Sequence, residues 1–301
     1  MTTVTRLLRA FRPRPTALGR PGLRRTATAV LGATTALALI GAAAGTAAAD
    51  PADDVAGALS RQLTTGSSEL GLSQLLPMIP GLGDLLRQGG APGTTRCTSV
   101  VQIGDSTSVG VDSPTKVPSP AETLSAQYKR VGVGTVDLDA NRGRSIVGAV
   151  DGRPNAAEAV ATHLARGERG CWVIAMGLED AADIAKGSTV AADERIDRIM
   201  NQLRGQPVLW PTVTADAAAR GYTTTATASF NNALRRAVVR YPNLAVYDWA
   251  AAAAGQPEWF DDGIHYTAAG IAARNMRFAG ALATAFPPGT GVTPATKWVS
   301  N

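Results

Sequence analysis

Histidine and cysteine are scarce: the 301 residues hold two of each, His163 and His265, and Cys97 and Cys171. A structural zinc site needs four such ligands at short spacings, and neither cysteine has that spacing, so no metal centre and no cofactor are expected. The same scarcity leaves two positions for an imidazole base. Acidic residues are absent from the first 49 positions, where seven arginines (Arg6, Arg9, Arg12, Arg14, Arg20, Arg24, Arg25) precede an uncharged run rich in Ala, Leu and Thr. Basic residues, then an apolar run, then the small residues Ala47-Ala48-Ala49 before Asp50 form the order of a secretory signal. The uncharged run reaches the roughly 20 residues that span a bilayer. Its Ala, Gly and Thr make it only weakly apolar, so cleavage is favoured over a membrane anchor. Arg24-Arg25 suggests twin-arginine export, but the residues that follow fit that pattern poorly, and both export routes stay open.

A basic excess is absent once the signal is set aside. Seven of the 29 basic residues lie there, and the remaining 22 face 24 acids. The expected mature chain is slightly acidic, which speaks against a nucleic-acid or anionic-membrane partner. Export also places Cys97 and Cys171 in an oxidising compartment. Each precedes an apolar run, CTSVVQIG and CWVIAMG, so a disulfide between the starts of two neighbouring strands is expected.

Internal repeats are absent, and the chain divides by composition. Residues 1–49 form the signal peptide, 50–95 a helical or loosely ordered leader, 96–286 one domain and 287–301 an unstructured C-terminal tail. The leader contains GLSQLLPMIPGLGDLLRQGG, in which apolar residues alternate with Pro and Gly; it is a docking arm, a short packed helix or a loose segment. From Cys97 onward strands and helices alternate: VVQIG, VGVGTVDLD, CWVIAMG, PVLWPTV and NLAVYDW, with helices at 120–130, 156–167, 191–205, 228–242 and 268–286. Asn155 and Thr267 read as helix N-caps. Short continuous apolar strands between helices indicate a parallel sheet covered on both faces.

Ligands of such sheets sit beyond the carboxyl ends of the strands. There VVQIG runs into Asp105-Ser106, where a serine can present its hydroxyl to the crevice and its N–H to an oxyanion. His163 stands mid-helix in AAEAVATHLARG and reads as a surface or half-buried histidine. His265 stands in the loop WFDDGIHYT, three residues after Asp262. One turn of chain can bring that carboxylate to the imidazole, which makes His265 the candidate base.

The ordered blocks IGDSTSVG, DANRGRSI, AMGLEDAA and DDGIHYT resemble those of the SGNH (GDSL) hydrolases, of the secreted actinobacterial type, from about Cys97 to Phe286. The resemblance implies a flavodoxin-like three-layer α/β/α sandwich with a parallel sheet of about five strands and serine esterase or acyl-transfer chemistry without metal. It makes Ser106 the nucleophile, His265 the base and Asp262 its orienter. Ser106, Gly143 and position 179 would form the oxyanion hole, and the Cys97 and Cys171 strands would lie side by side. The third block departs from the family. Where Gly-x-Asn-Asp is usual, with an Asn amide donating to the oxyanion, this chain has Gly177-Leu178-Glu179-Asp180. An ionised glutamate has no proton to give and repels the developing charge.

Three readings follow from Glu179. A slow hydrolase works with the Ser106 and Gly143 N–H groups; a Glu179 kept protonated by burial and by the Asp180 charge donates as a neutral acid; or the domain binds without turnover. Asp261 is a second candidate orienter, and Asn141 and Arg144 are candidate replacement donors, although Arg144 also reads as salt-bridged. Asp248 reads as a loop cap. Trp210, Tyr222, Trp249, Trp259 and Phe260 either line a pocket or form core. The reading is a secreted or cell-envelope esterase, a monomer, acting on a small-molecule, glycolipid or polysaccharide ester. Alternatives are an extracellular O-acyltransferase to an envelope carbohydrate and a non-catalytic envelope-binding domain.

Overall fold

A computed structural model of the chain describes residues 93–216 and 221–300. The expected signal peptide, and the leader up to residue 92, lie outside the described residues. The five apolar runs become strands β1 (Ser99–Gly104), β2 (Thr135–Ala140), β3 (Cys171–Ala175), β4 (Val208–Pro211) and β5 (Leu244–Tyr247). They pair in parallel in the order β2-β1-β3-β4-β5, and a sixth strand, β6 (Trp298–Val299), adds to the β5 edge. The tail is therefore not wholly unstructured, and the sheet has six strands rather than about five. Two residues suffice because the β5 segment reaches across, with Val246 N–H donating to Lys297 O and Asp248 N–H to Val299 O, both at 2.8 Å.

The central strands read as continuous apolar runs because both faces are covered. Along β3, Val173 and Ala175 join one core while Trp172 and Ile174 join the other. The first core takes in α1 (Leu124–Arg130), α6 (Trp249–Ala253) and α7 (Ala268–Ala285); the second takes in α2 (Ala156–Ala165), α3 (Leu178–Ala185), α4 (Ala192–Met200) and α5 (Thr224–Arg240). The result is a flavodoxin-like three-layer α/β/α sandwich. Phe230, Ala233, Leu234, Ala237 and Val238 of α5 repeat at helical spacing and are all buried. Each of the larger ones contributes about 1.5–3 kcal/mol by leaving water. Gln102 is fully buried in the middle of β1; the Tyr128 hydroxyl of α1 donates to its Oε1 at 2.7 Å, while its Nε2 has no hydrogen-bond partner among the described residues.

Capping sets where helices begin. Asn155 and Glu158 form a reciprocal capping box at α2, and Thr267 Oγ1 accepts from Gly270 N–H at 3.1 Å to open α7. Position 270 has to be glycine, since a Cβ there would run into the Trp259 carbonyl. That close approach fixes the start of α7 against the loop that carries His265.

His163 is not a surface residue. It shares the buried face of α2 with Ala156, Ala159 and Val160, is 3 % exposed, and packs edge-on to Trp172. Its Nδ1 meets Glu168 Oε2 at 2.8 Å and its Nε2 meets Asp139 Oδ2 at 3.2 Å, so the ring bridges two carboxylates within the fold.

Cys97 and Cys171 form the expected disulfide, with Cα atoms 5.7 Å apart and a closed loop of 74 positions. Crosslinking a loop of this size removes denatured-state freedom. Replacing both cysteines by serine is expected to lower unfolding free energy by about 2–4 kcal/mol, measured by urea titration of the oxidised parent beside the variant.

Candidate active site

The sheet order β2-β1-β3 reverses direction of growth at β1, and ligands of open α/β sheets lie beyond the strand ends at such a switch point. Register brings the sequence blocks together there: Gly104 at the end of β1 is level with Ala140 of β2 and with Ala175 of β3. Ser106 follows β1 by two residues, Gly143 follows β2 by three and Glu179 follows β3 by four.

Asp105 shapes the turn that carries Ser106. Its Oδ1 accepts the Thr107 N–H at 2.9 Å and the Thr107 hydroxyl at 2.6 Å, and its carbonyl accepts Ser108 N–H at 3.1 Å, giving one 3-10 turn over Ser106–Ser108. Ser106 is thus the first residue of a capped turn. Its Oγ lies 3.0 Å from His265 Nε2, and His265 Nδ1 lies 2.8 Å from Asp262 Oδ2.

The loop holding His265 is determined locally. Asp262 Oδ1 accepts the backbone N–H groups of Ile264 at 3.0 Å and His265 at 2.8 Å, wrapping the chain around the carboxylate. Those donors, chiefly the His265 backbone and imidazole N–H groups, hold the Asp262 carboxyl well below the usual carboxylate range even though it is half-exposed. An ionised carboxylate only accepts, so the imidazole proton sits on Nδ1 and Nε2 is free to accept the Ser106 hydroxyl. Asp261 is not the orienter; its N–H donates to His265 O at 2.8 Å and helps close the loop.

Gly143 lies in a turn from Asn141 to Arg144 with φ +67°, a left-handed conformation that favours glycine. Arg144 is not a replacement oxyanion donor. It is buried, with Nη1 donating to Asp139 O and Nη2 to Asp139 Oδ1, both at 2.8 Å.

Glu179 is the second residue of α3, a helix the sequence reading did not place. Its Oε2 accepts the Tyr222 hydroxyl at 2.7 Å. Burial pushes the Glu179 carboxyl up, against the pull of the Tyr222 hydrogen bond, and the charges of Asp105 and Asp183 add to the rise. Asp180 plays another part than the one expected of it. It is fully buried, and its Oδ1 accepts the Ile146 N–H at 2.9 Å and Arg195 Nη1 at 2.7 Å. Asp180 therefore pins the segment after Gly143 to α3, and burial pushes its carboxyl up to about 6 against the attraction of Arg195.

Of the aromatic candidates, Tyr222 reaches the site through Glu179. Trp210 is core, its Nε1 donating to Met176 O at 2.9 Å. Trp249 stacks on Trp259 and donates to the Tyr266 hydroxyl at 2.8 Å beneath the His265 loop. Asp248 caps α6 by accepting Ala251 N–H at 3.3 Å. Among the described residues, one group of three metal-capable side chains occurs, Asp137, His163 and Glu168, on the β2 edge, with donor atoms within 4.8 Å of one another. His163 Nδ1 meets Glu168 Oε2 at 2.8 Å and lies 3.7 Å from Asp137 Oδ2.

A lipase/acylhydrolase from Enterococcus faecalis superposes over 64 % of this chain and 99 % of its own, with a TM-score of 0.51 and 17 % identity. The chain shares the fold of that lipase/acylhydrolase. Other solved structures to which the chain is similar include a carbohydrate acetylesterase family member from Sinorhizobium meliloti (18 % identity, 62 % of this chain and 95 % of that one, TM-score 0.46). The C-terminal catalytic domain of Streptococcus pneumoniae peptidoglycan O-acetyltransferase A is a further one (16 % identity, 62 % and 92 %, TM-score 0.45). No sequence-family model matches the chain, and no curated protein matches it. Within this fold Ser106, His265 and Asp262 come together, and position 179, in the third of the blocks whose pattern the sequence resembles, is glutamate.

Proposed function

We propose that this chain is a serine ester hydrolase that works through an acyl-enzyme on Ser106. The observation that carries the reading is the continuous relay from Ser106 Oγ through His265 to Asp262, at 3.0 and 2.8 Å, at the carboxyl end of β1. Ser106 Oγ attacks the ester carbonyl as His265 Nε2 takes its proton. The tetrahedral oxyanion is met by the N–H groups of Ser106 and Gly143, and His265 returns the proton to the departing alcohol. Water then attacks the acyl-serine with His265 again as base, releasing the acid and restoring the hydroxyl.

Glu179 acts in this scheme as a neutral acid. Burial favours its protonated form, and the Tyr222 hydroxyl occupies Oε2, leaving Oε1 to carry a proton toward the oxyanion. As pH rises through its raised pKa, Glu179 loses that proton and becomes a charge opposing the transition state. A Glu179→Gln variant keeps an N–H donor at every pH. Its kcat/KM is expected to exceed the parent's on the alkaline side by about 10²-fold, the scale of one oxyanion donor, while the two converge where Glu179 is protonated. Parallel pH–rate profiles at both ends would show that Glu179 stands outside the oxyanion site.

Small carboxylic esters, including acyl esters of envelope carbohydrate or glycolipid, are the proposed substrates, and the proposed site of action is outside the cytoplasm. The Cys97–Cys171 disulfide supports that address. Among the described residues, no helix is long and apolar enough to cross a membrane. The test is a p-nitrophenyl ester series with the full-length chain, followed by product analysis with a sugar acceptor. Free acid equal to the alcohol released supports hydrolysis; acylated sugar in excess of free acid makes the chain a transferase; background release from every ester removes the esterase reading.

A further inference from the structure

The helix that follows the base also reaches under the nucleophile, through a charged side chain that the reaction scheme does not use. Arg274 lies two turns into α7 and is 3 % exposed. Its Nη2 donates at 3.1 Å to the hydroxyl of Ser108, which is itself fully buried and closes the nucleophile's turn by donating its N–H to Asp105 O. The guanidinium carbon lies 5.4 Å from the Tyr266 ring, the residue next to His265, and 4.3 Å from the Phe278 ring. Asp105, Thr107, Trp249, Tyr266, Arg274 and Phe278 line one shared cleft.

Burying a guanidinium costs several kcal/mol unless its surroundings answer the charge, and a residue needed only to fill space there would be apolar. Hydrogen bonding answers only part of it, since Nη2 meets Ser108 while Nε and Nη1 are buried without a hydrogen-bond partner among the described residues, and the Tyr266 and Phe278 ring faces lie against the guanidinium. Ser108 and Asp105 belong to the turn that presents Ser106, and Tyr266 belongs to the loop that presents His265. Asp105 is 2 % exposed and immediately precedes Ser106, so its negative charge would lie close to the developing oxyanion without a nearby cation. Arg274 offsets that charge, as it also opposes the rise in the Asp105 pKa that burial causes.

We propose that Arg274 is a positioning residue that ties the turn of Ser106 to the segment of His265, setting the serine–histidine distance while balancing the buried Asp105 carboxylate. This inference rests on the esterase reading. Arg274 touches no reacting atom; it acts through Ser108, Asp105 and Tyr266.

The test combines two readouts on the full-length chain: kcat and KM on a p-nitrophenyl ester, and the rate at which phenylmethylsulfonyl fluoride modifies Ser106, followed by intact mass. Arg274→Met is expected to lower kcat and the sulfonylation rate by roughly 10–100-fold, the scale of a misplaced reacting pair, with KM little changed. Arg274→Lys, which restores the charge without the fork, is expected to recover part of the loss. Ser108→Ala is expected to act in the same direction more weakly, and to add little in the Arg274→Met background. A folded Arg274→Met with parental kcat and sulfonylation rate overturns the tie. Should that variant fail to fold, Ser108→Ala and Arg274→Lys decide, and parental rates in both overturn it. A parent that is sulfonylated at Ser106 yet hydrolyses no ester removes the esterase reading and leaves the tie to be judged by the sulfonylation rates alone. A parent that is not sulfonylated removes both.

Discussion

Ser106→Ala is expected to lower kcat/KM for a p-nitrophenyl ester by on the order of 10⁴–10⁶-fold, leaving the fold and the melting temperature nearly unchanged. The size of the effect follows from the absence of a substitute. In the proposed mechanism the Ser106 hydroxyl is the nucleophile, and the methyl of alanine can neither attack nor hand a proton to His265. The small stability effect follows from position. Ser106 Oγ bonds outward to His265 Nε2, whereas the turn itself is held by Asp105 through Thr107 and Ser108. The measurement is ester release beside a thermal melt. A variant retaining a tenth or more of parental activity would place the nucleophile elsewhere.

Asp262→Asn is expected to cost nearly as much, about 10⁴-fold in kcat with KM little altered, for a reason particular to this loop. Asp262 Oδ1 is committed to the backbone N–H groups of Ile264 and His265, so an asparagine must keep its oxygen there. Its amide nitrogen then faces His265 Nδ1. Two donors cannot share a hydrogen bond, and the imidazole is driven to the tautomer with its proton on Nε2, pointing at Ser106. The loop stays closed while the base is lost. The pH dependence carries a related sign. Because Asp262 titrates below the usual carboxylate range, it stays ionised throughout the working range and keeps its role as acceptor for the imidazole. The depressed pKa also makes Asp262 a contributor to stability above the ordinary carboxylate pKa, a contribution lost as pH falls through its own lower value. Its half-exposure keeps that contribution small.

The main strands were legible in the sequence because a parallel sheet covered on both faces demands continuous apolar runs, and CWVIA or LAVY can be little else. That the Cys97 and Cys171 strands lie side by side followed from the resemblance, and the spacing of Asp262 and His265 in one loop was legible directly, whereas Ser106 and His265 lie 159 positions apart. β6 was not legible, since Trp298-Val299 becomes a strand only by borrowing the open edge of β5. Helix α3 was hidden by Gly177 in front and by adjacent acids in its first turn, both of which resemble a loop. His163 could have been placed inside the fold, because it falls seven residues after Ala156 on the apolar face of α2, but a lone polar residue on that stripe reads ambiguously.

The contacts that qualify the chemistry are long-range and were not legible. Tyr222 meets Glu179 across 43 positions, and Asp180 turns away from Glu179 to take Ile146 N–H and Arg195. Adjacent acids in a helix point in different directions, so Asp180 burdens α3 with its own buried pair rather than charging its neighbour. The carboxylates that do act on Glu179 are Asp105, brought beside it because β1 and β3 are neighbours in register, and Asp183, one turn further along α3. The altered third block thus forms part of a connected set in which Tyr222, Glu179, Asp105 and Arg274 influence one another around the nucleophile.

The central claim is that His265, oriented by Asp262, activates Ser106 for covalent catalysis. Its most direct test is to mix the full-length chain with p-nitrophenyl acetate, quench in acid within the first turnovers, and map the adduct by intact and peptide mass. The account predicts one added acetyl group on the peptide containing Ser106, absent in Ser106→Ala and nearly absent in Asp262→Asn. Acetyl groups scattered over lysines, or an equal Ser106 adduct in Asp262→Asn, would contradict it.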